Sequence, residues 1–133
     1  MSIDNVSEFH RKFGFPLGKS DAMMGDPDTE SYRFGFLEEE LEELDEALEA
    51  GDRVKAFDAL LDLVYVAYGT ALWMGISPEQ WAAGFRAVHN ANMAKVRVAS
   101  ADESKRGNAF DCKKPEGWVS PEGQLREILQ WAK

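Results

Sequence analysis

The sequence predicts an all-α protein: an antiparallel, five-helix bundle with an irregular C-terminal segment, in a single domain spanning residues 1–133. Three observations predict it. Apolar residues recur at helical spacing along most of the chain, no stretch alternates convincingly as a strand, and the long periodic segments are joined by very short turns.

The elements follow in order. Ile3, Val6, Phe9, His10 and Phe13 share one face of a first helix from about Ser2 to Phe13. Gly14, Pro16, Gly18, Gly25 and Pro27 make 14–27 a loop. A second helix from about Asp28 to Ala50 stops at Gly51. Asp52 is placed to cap a third helix, which ends near Met74, before Gly75. Ser77-Pro78-Glu79-Gln80 combines a capping serine, a first-turn proline and a glutamine three residues on, so a fourth helix starts there and is expected to reach about Ala99. Residues 100–119 are polar and glycine-containing, and an irregular path is expected. Ser120-Pro121-Glu122 opens a short last helix through Leu125, Ile128 and Leu129. The link at Gly51-Asp52 leaves room only for an immediate reversal, so the second and third helices are expected side by side.

Composition narrows the function. At 44% hydrophobic and 11% aromatic, the chain has material for a core and is not wholesale disordered. No uncharged apolar run reaches the ~18 residues of a membrane span, and the N-terminus lacks a secretory leader's apolar core, so the expectation is a cytoplasmic protein with no membrane partner. A single cysteine, Cys112, excludes an internal disulfide framework. The net charge of −9 argues against a nucleic-acid partner. That charge is concentrated: Glu38 to Glu49 holds eight acids and no base, which leaves −1 for the rest of the chain.

The acidic helix has two kinds of carboxylate. Leu37, Leu41, Leu44 and Leu48 form a narrow stripe, the expected core face. Glu39, Glu42, Glu46 and Glu49 lie roughly opposite and read as a solvated face. Glu40 and Glu43 instead flank the core, in line with Phe36 and Ala47. The third helix, AFDALLDLVYVAY from Ala56 to Tyr68, is apolar nearly all round and is expected to be buried in the bundle or in an oligomer interface. Its only charges are Asp58 and Asp62, one turn apart, with Tyr65 and Gly69 continuing their line. Across the Gly51 reversal their neighbours are Glu40 and Glu43. Buried ionised carboxylates must be paired, protonated or bound to a cation. Two readings stand here: a divalent cation at Glu40, Glu43, Asp58 and Asp62, structural or functional, or aspartates satisfied by basic partners. An all-oxygen set suits magnesium, manganese or calcium better than zinc, and magnesium commonly bridges carboxylates to substrate phosphates.

Glu39-Glu40-x-x-Glu43, followed by a buried helix whose acidic part ends at Asp62, resembles the MazG-like all-α nucleoside triphosphate pyrophosphohydrolases. VSEFHRKFG, Arg33 before the glutamate run, GDRVKAFDALLDLVYVAYGTALWMGIS, HNANMAKV and KPEGWVSPEG resemble the small phage forms of that superfamily, the MazZ type. The resemblance implies a helical bundle that hydrolyses a (deoxy)nucleoside triphosphate to the monophosphate and pyrophosphate with Mg²⁺, for which Mn²⁺ may substitute. It implies dGTP or GTP as substrate; phosphoribosyl-ATP, or dUTP and dCTP, are the alternatives. Glu40 and Glu43 match the first acidic pair, Glu39 the additional leading acid, and Asp62 the aspartate of the second pair. The glutamate expected three residues before Asp62 is Ala59, and Asp58 stands in as the substitute. Glu39 or Glu40 is the candidate to accept the proton of the attacking water. If phage-encoded, the protein would work in a host's cytoplasm.

Candidate substrate contacts are Arg33, Asn92, Lys95, Lys105, Arg106, Lys113 and Trp118. Asn92 and Lys95 match the family's N-x-x-K segment; the alternative is a solvated helix end. Six of the fifteen bases fall between Lys95 and Lys114, a locally basic stretch suited to closing over phosphates. Trp118 either stacks on a base or anchors the tail. Phe9, Phe13 and Phe34 read as core, and His10 and His89 have no assigned role. The apolar circumference of the third helix points to a homodimer or homotetramer. The contrasting class is a non-catalytic helical module whose acidic face docks a basic partner.

Overall fold

The computed structural model describes residues 2–132. It contains α1 (Ile3–Phe13), α2 (Pro27–Glu49), α3 (Arg53–Trp73), α4 (Pro78–Met93), β1 (Val96–Arg97), a single 3₁₀ turn (Ala101–Glu103), β2 (Cys112–Lys113) and α5 (Glu122–Leu129). The fold is all-α apart from the small two-stranded ladder. Contacts divide the chain into two compact units, one ending at Trp81 and the other running from Ala82 to Ala132.

In the first unit, end chemistry sets the helix boundaries. Ser2 and Asn5 form a reciprocal capping box at the start of α1, and Gly14 ends that helix with φ +74°. Asp52 caps α3 by accepting from the Lys55 amide at 3.0 Å. Gly51, with φ +65°, supplies the reversal between α2 and α3, which form the most extensive helix pair. A tight core of Ile3, Val6, Ala71 and Leu72 joins α1 to α3, with Tyr68, Ile76 and Trp81 packed around it. At the start of α4, Ser77 and Gln80 exchange backbone-to-side-chain hydrogen bonds of 2.9 and 3.2 Å.

The loop between α1 and α2 is fixed against the α3–α4 turn at backbone range. A Cβ on Gly75 would lie 2.6 Å from the Asp21 nitrogen, and one on Gly18 would run into the Ile76 carbonyl; both glycines have φ near +80°. Gly75→Ala is therefore expected to cost roughly 2–3 kcal/mol, from left-handed strain plus displaced backbone. A thermal melt should show the midpoint falling by several degrees.

The leucine stripe of α2 is not the face this chain buries. Leu41 is 55% and Leu48 63% exposed, whereas Arg33, Glu40 and Ala47 are buried. The face turned toward α3 is thus the flank that carries Glu40. Phe9, Phe13 and Phe34 also stay substantially exposed rather than entering a core. Helix α3 is long and apolar enough to cross a membrane by length and composition, at a mean hydropathy of 1.2. Its two aspartates and its packing on α2 make it a poor span.

In the second unit, α4 stops at Met93 rather than near Ala99, because the chain turns into an antiparallel ladder pairing Val96 with Lys113 and Arg97 with Cys112. Asp111 organises the intervening segment: it accepts from Ser104 Oγ at 2.6 Å, Arg106 Nη2 at 2.7 Å and the Cys112 amide at 2.8 Å. These bonds, led by Ser104, pull its carboxyl down to about 2.

Candidate metal centre

Glu40 and Glu43 stand three residues apart on α2 and so share a face, while Asp62 projects from the neighbouring α3. One carboxylate oxygen from each lies within 4.8 Å of the other two. Glu40 is buried and its Oε2 has no hydrogen-bond partner. Its carboxyl is pushed from 4.5 up to about 7, first by burial, then by the charges of Glu43 and Asp62, with a weaker contribution from Glu39. Among the described residues the ion pairs are Arg106–Asp111 and Lys113–Glu103, and neither involves this trio. Converging acids without a base, one with an orphaned buried oxygen, fit a hard divalent cation. The donors are all oxygen, which suits magnesium, manganese or calcium.

Asp58 lies outside this group of three. Ala59, Asp62 and Val66 follow each other on the side of α3 turned to α2, and Ala59 is 3% exposed. Asp58 is one residue off that line and exposed. The inward place three residues before Asp62 is thus taken by a methyl group, and Asp58 does not replace it geometrically. Glu39 is exposed beside the trio.

Arg33 is buried, at 5% exposure, where the sequence suggests a surface contact. Its Nη2 donates to the Val66 carbonyl at 3.0 Å and to Thr70 Oγ1 at 3.1 Å, and Nε reaches Thr70 Oγ1 at 3.3 Å. The rings of Phe36, Tyr32 and Trp73 surround its guanidinium at 5.3–5.8 Å. His10, unassigned by sequence, is buried in the same first unit and hydrogen-bonds the Pro16 carbonyl through Nδ1. The signal for both was present: Arg33, Phe36, Glu40 and Ala47 lie on one side of α2, and His10 shares a face with Ile3 and Val6.

In the second unit, two of the proposed phosphate contacts already have partners. Arg106 pairs with Asp111 at 2.7 Å and Lys113 with Glu103 at 3.1 Å. Trp118 donates its indole N–H to the Ala91 carbonyl at 2.7 Å, which favours anchoring over base stacking. Lys95 and Lys114 lie 5.5 and 4.8 Å from the Trp118 ring centre. Lys105 is exposed in the turn region, and Asn92 lies in the last turn of α4.

An all-α fold whose adjacent helices bring three carboxylates together is compatible with divalent-metal hydrolysis of a phosphate anhydride. A profile of the phosphoribosyl-ATP pyrophosphohydrolase family, PRA-PH, matches residues 6–92. The chain belongs to that family, a branch of the MazG-like all-α nucleoside triphosphate pyrophosphohydrolase superfamily. It is accordingly a pyrophosphohydrolase acting on a nucleotide. The match spans α1 to α4 and includes the acidic trio. No curated protein matches the chain.

Proposed function

We propose that Glu40, Glu43 and Asp62 hold Mg²⁺, or Mn²⁺ in its place, and that the protein hydrolyses a nucleoside triphosphate between its α- and β-phosphates. The supporting observation is the convergence of three carboxylates around an orphaned Glu40 oxygen. The bound cation would supply charge neutralisation at the phosphates and lower the pKa of bound water. Glu40 and Glu43, from one helix, and Asp62, from the next, would hold it from two sides. Glu39 stands outside the trio yet beside it, so its carboxylate is the group left to take a proton from the attacking water. Asp58 acts outside the first set of ligands.

The favoured substrate is dGTP or GTP, on the strength of the likeness to the small phage MazZ-type forms. A second reading has a specific support: the family profile is that of phosphoribosyl-ATP pyrophosphohydrolases, which makes phosphoribosyl-ATP the competing substrate. Assay of the common ribo- and deoxynucleoside triphosphates and of phosphoribosyl-ATP, scored for pyrophosphate with magnesium or manganese, separates the two. The expected result is fastest release from dGTP or GTP. Release confined to phosphoribosyl-ATP would transfer the assignment.

A homodimer or homotetramer is part of the proposal. Leu41 and Leu48 on α2, with Phe57, Leu61 and Val64 on α3, remain exposed in the single chain. Light scattering should then give the mass of two or four chains.

A further inference from the structure

Between β1 and β2 the chain presents one aromatic ring to solvent. Phe110 is 87% exposed, yet the backbone on either side of it is pinned. Its amide donates to Asn108 Oδ1 at 2.8 Å, and the next residue, Asp111, holds Ser104, Arg106 and the Cys112 amide. The Val98 N–H donates to the Asp111 carbonyl at 3.1 Å, and the buried Val98 side chain roots the segment in the second unit. Arg97 donates through Nε to the Ala109 carbonyl at 3.4 Å and lays its guanidinium 5.1 Å from the Phe110 ring centre. A lone exposed apolar side chain is ordinary on a protein surface. One held out on a braced support has already lost the freedom that binding would otherwise remove, which favours contact with a partner.

The surroundings of this ring are basic. Residues 95–114 carry six bases against three acids, Asp102, Glu103 and Asp111, a net charge of +3. Two of those acids pair with Arg106 and Lys113, so among the described residues Arg97 and Lys105 have no carboxylate partner. The first unit carries the complement. Leu41, Leu44 and Leu48 line an open groove of about 400 Å³ along α2, with Glu42 and Asp45 as its charged lining. The groove falls within residues 38–49, which hold eight acids and no base. Neither Glu42 nor Asp45 has an ion-pair partner among the described residues. An apolar groove with an anionic rim and an apolar ring with a cationic collar are matched in polarity and in charge.

Resting on the oligomer reading above, we propose that the β1–β2 segment of one copy docks on the α2 groove of a second copy. Phe110 seats between Leu41, Leu44 and Leu48, and Arg97 and Lys105 face the acidic rim. Both halves of the contact are present on every chain, so in a two-fold pair each copy gives one ring and receives one. Packing the acidic stretch of α2 directly on its own copy would instead set like charges against each other.

Analytical ultracentrifugation over a dilution series of the full chain tests this. Phe110→Ser and Leu48→Ser change exposed side chains, and circular dichroism checks that both variants are folded. Each should weaken association at least about tenfold, the scale of one aromatic ring returned to water. The double variant should associate no more weakly than either single one, because both changes remove the same contact. An equimolar mixture of the two single variants should associate more tightly than either alone, since the Leu48→Ser copy keeps its ring and the Phe110→Ser copy keeps its groove. Raising salt from about 50 to about 500 mM should weaken the parent's association at least about threefold, and association that salt leaves unchanged would overturn the charge match. An oligomer unaffected by Phe110→Ser, or a mixture no tighter than its components, would overturn this contact while leaving the oligomer reading intact. A parent monomeric at every concentration would overturn both.

Discussion

Glu43→Gln and Asp62→Asn are each expected to cut pyrophosphate release at least about 100-fold while leaving the helical content unchanged. Each substitution removes one anionic ligand from a set of three whose oxygens lie within 4.8 Å of one another. Even residues that only orient metal ligands are worth about 10–100-fold, so a direct ligand sets a higher floor. Neither residue is buried, so the amides should be tolerated by the fold. Glu46→Gln is the matched control, being an exposed glutamate of the same helix outside the trio. Its activity should stay close to that of the parent. A steady-state pyrophosphate assay of the three variants, with circular dichroism on the same samples, checks the result. Equal losses in all three would point to bulk negative charge rather than to ligands.

Magnesium or manganese is expected to raise the melting temperature by several degrees at pH 8 and by much less at pH 5. The reason lies in Glu40. Its carboxyl is raised from 4.5 to about 7 in the folded protein. A raised pKa means the folded state holds the proton more tightly, so the associated stability is full below about 4.5 and is lost as pH climbs through about 7. A cation restores at alkaline pH what protonation supplies at acid pH. At a concentration 100-fold above the dissociation constant it contributes about 2.7 kcal/mol. Glu40→Gln removes the titration: in chelator the variant should melt higher than the parent at pH 8, match it near pH 4.5, and respond weakly to metal. Thermal melts of both proteins at the two pH values, with metal or chelator, measure this. A parent whose midpoint ignores metal at pH 8 would contradict the cation site.

Much of the arrangement was legible in the sequence, and the gaps have physical causes. Helix ends were readable because capping is local chemistry: Asp52 and Ser77-Gln80 act where the spacing places them, whereas α5 begins one residue later than Ser120 implies, with Pro121 at its cap position. The convergence of Glu40, Glu43 and Asp62 was legible because carboxylates interrupt an apolar helix flank, and the Gly51 reversal pairs the two flanks. Periodicity could not say which apolar face of α2 this chain covers, since the leucines and the Glu40 flank both recur at helical spacing. Asp58 stands outside the group of three for a related reason. A residue four positions from Asp62 shares its face coarsely, yet Ala59, three positions away, takes the inward line. The ladder at Val96–Arg97 is two residues long, too short for any alternation to register. Arg33 went unrecognised as a buried group because arginine is rarely buried, and nothing local marks its neutral partners on α3.

The most direct measurement follows the products by ³¹P NMR when the protein is incubated with dGTP or GTP and magnesium. A cation site at Glu40, Glu43 and Asp62 that serves α–β cleavage predicts nucleoside monophosphate and pyrophosphate in equal amounts, abolished by chelator and by Glu43→Gln. Orthophosphate with a nucleoside diphosphate, or pyrophosphate formed equally fast by Glu43→Gln, would contradict it.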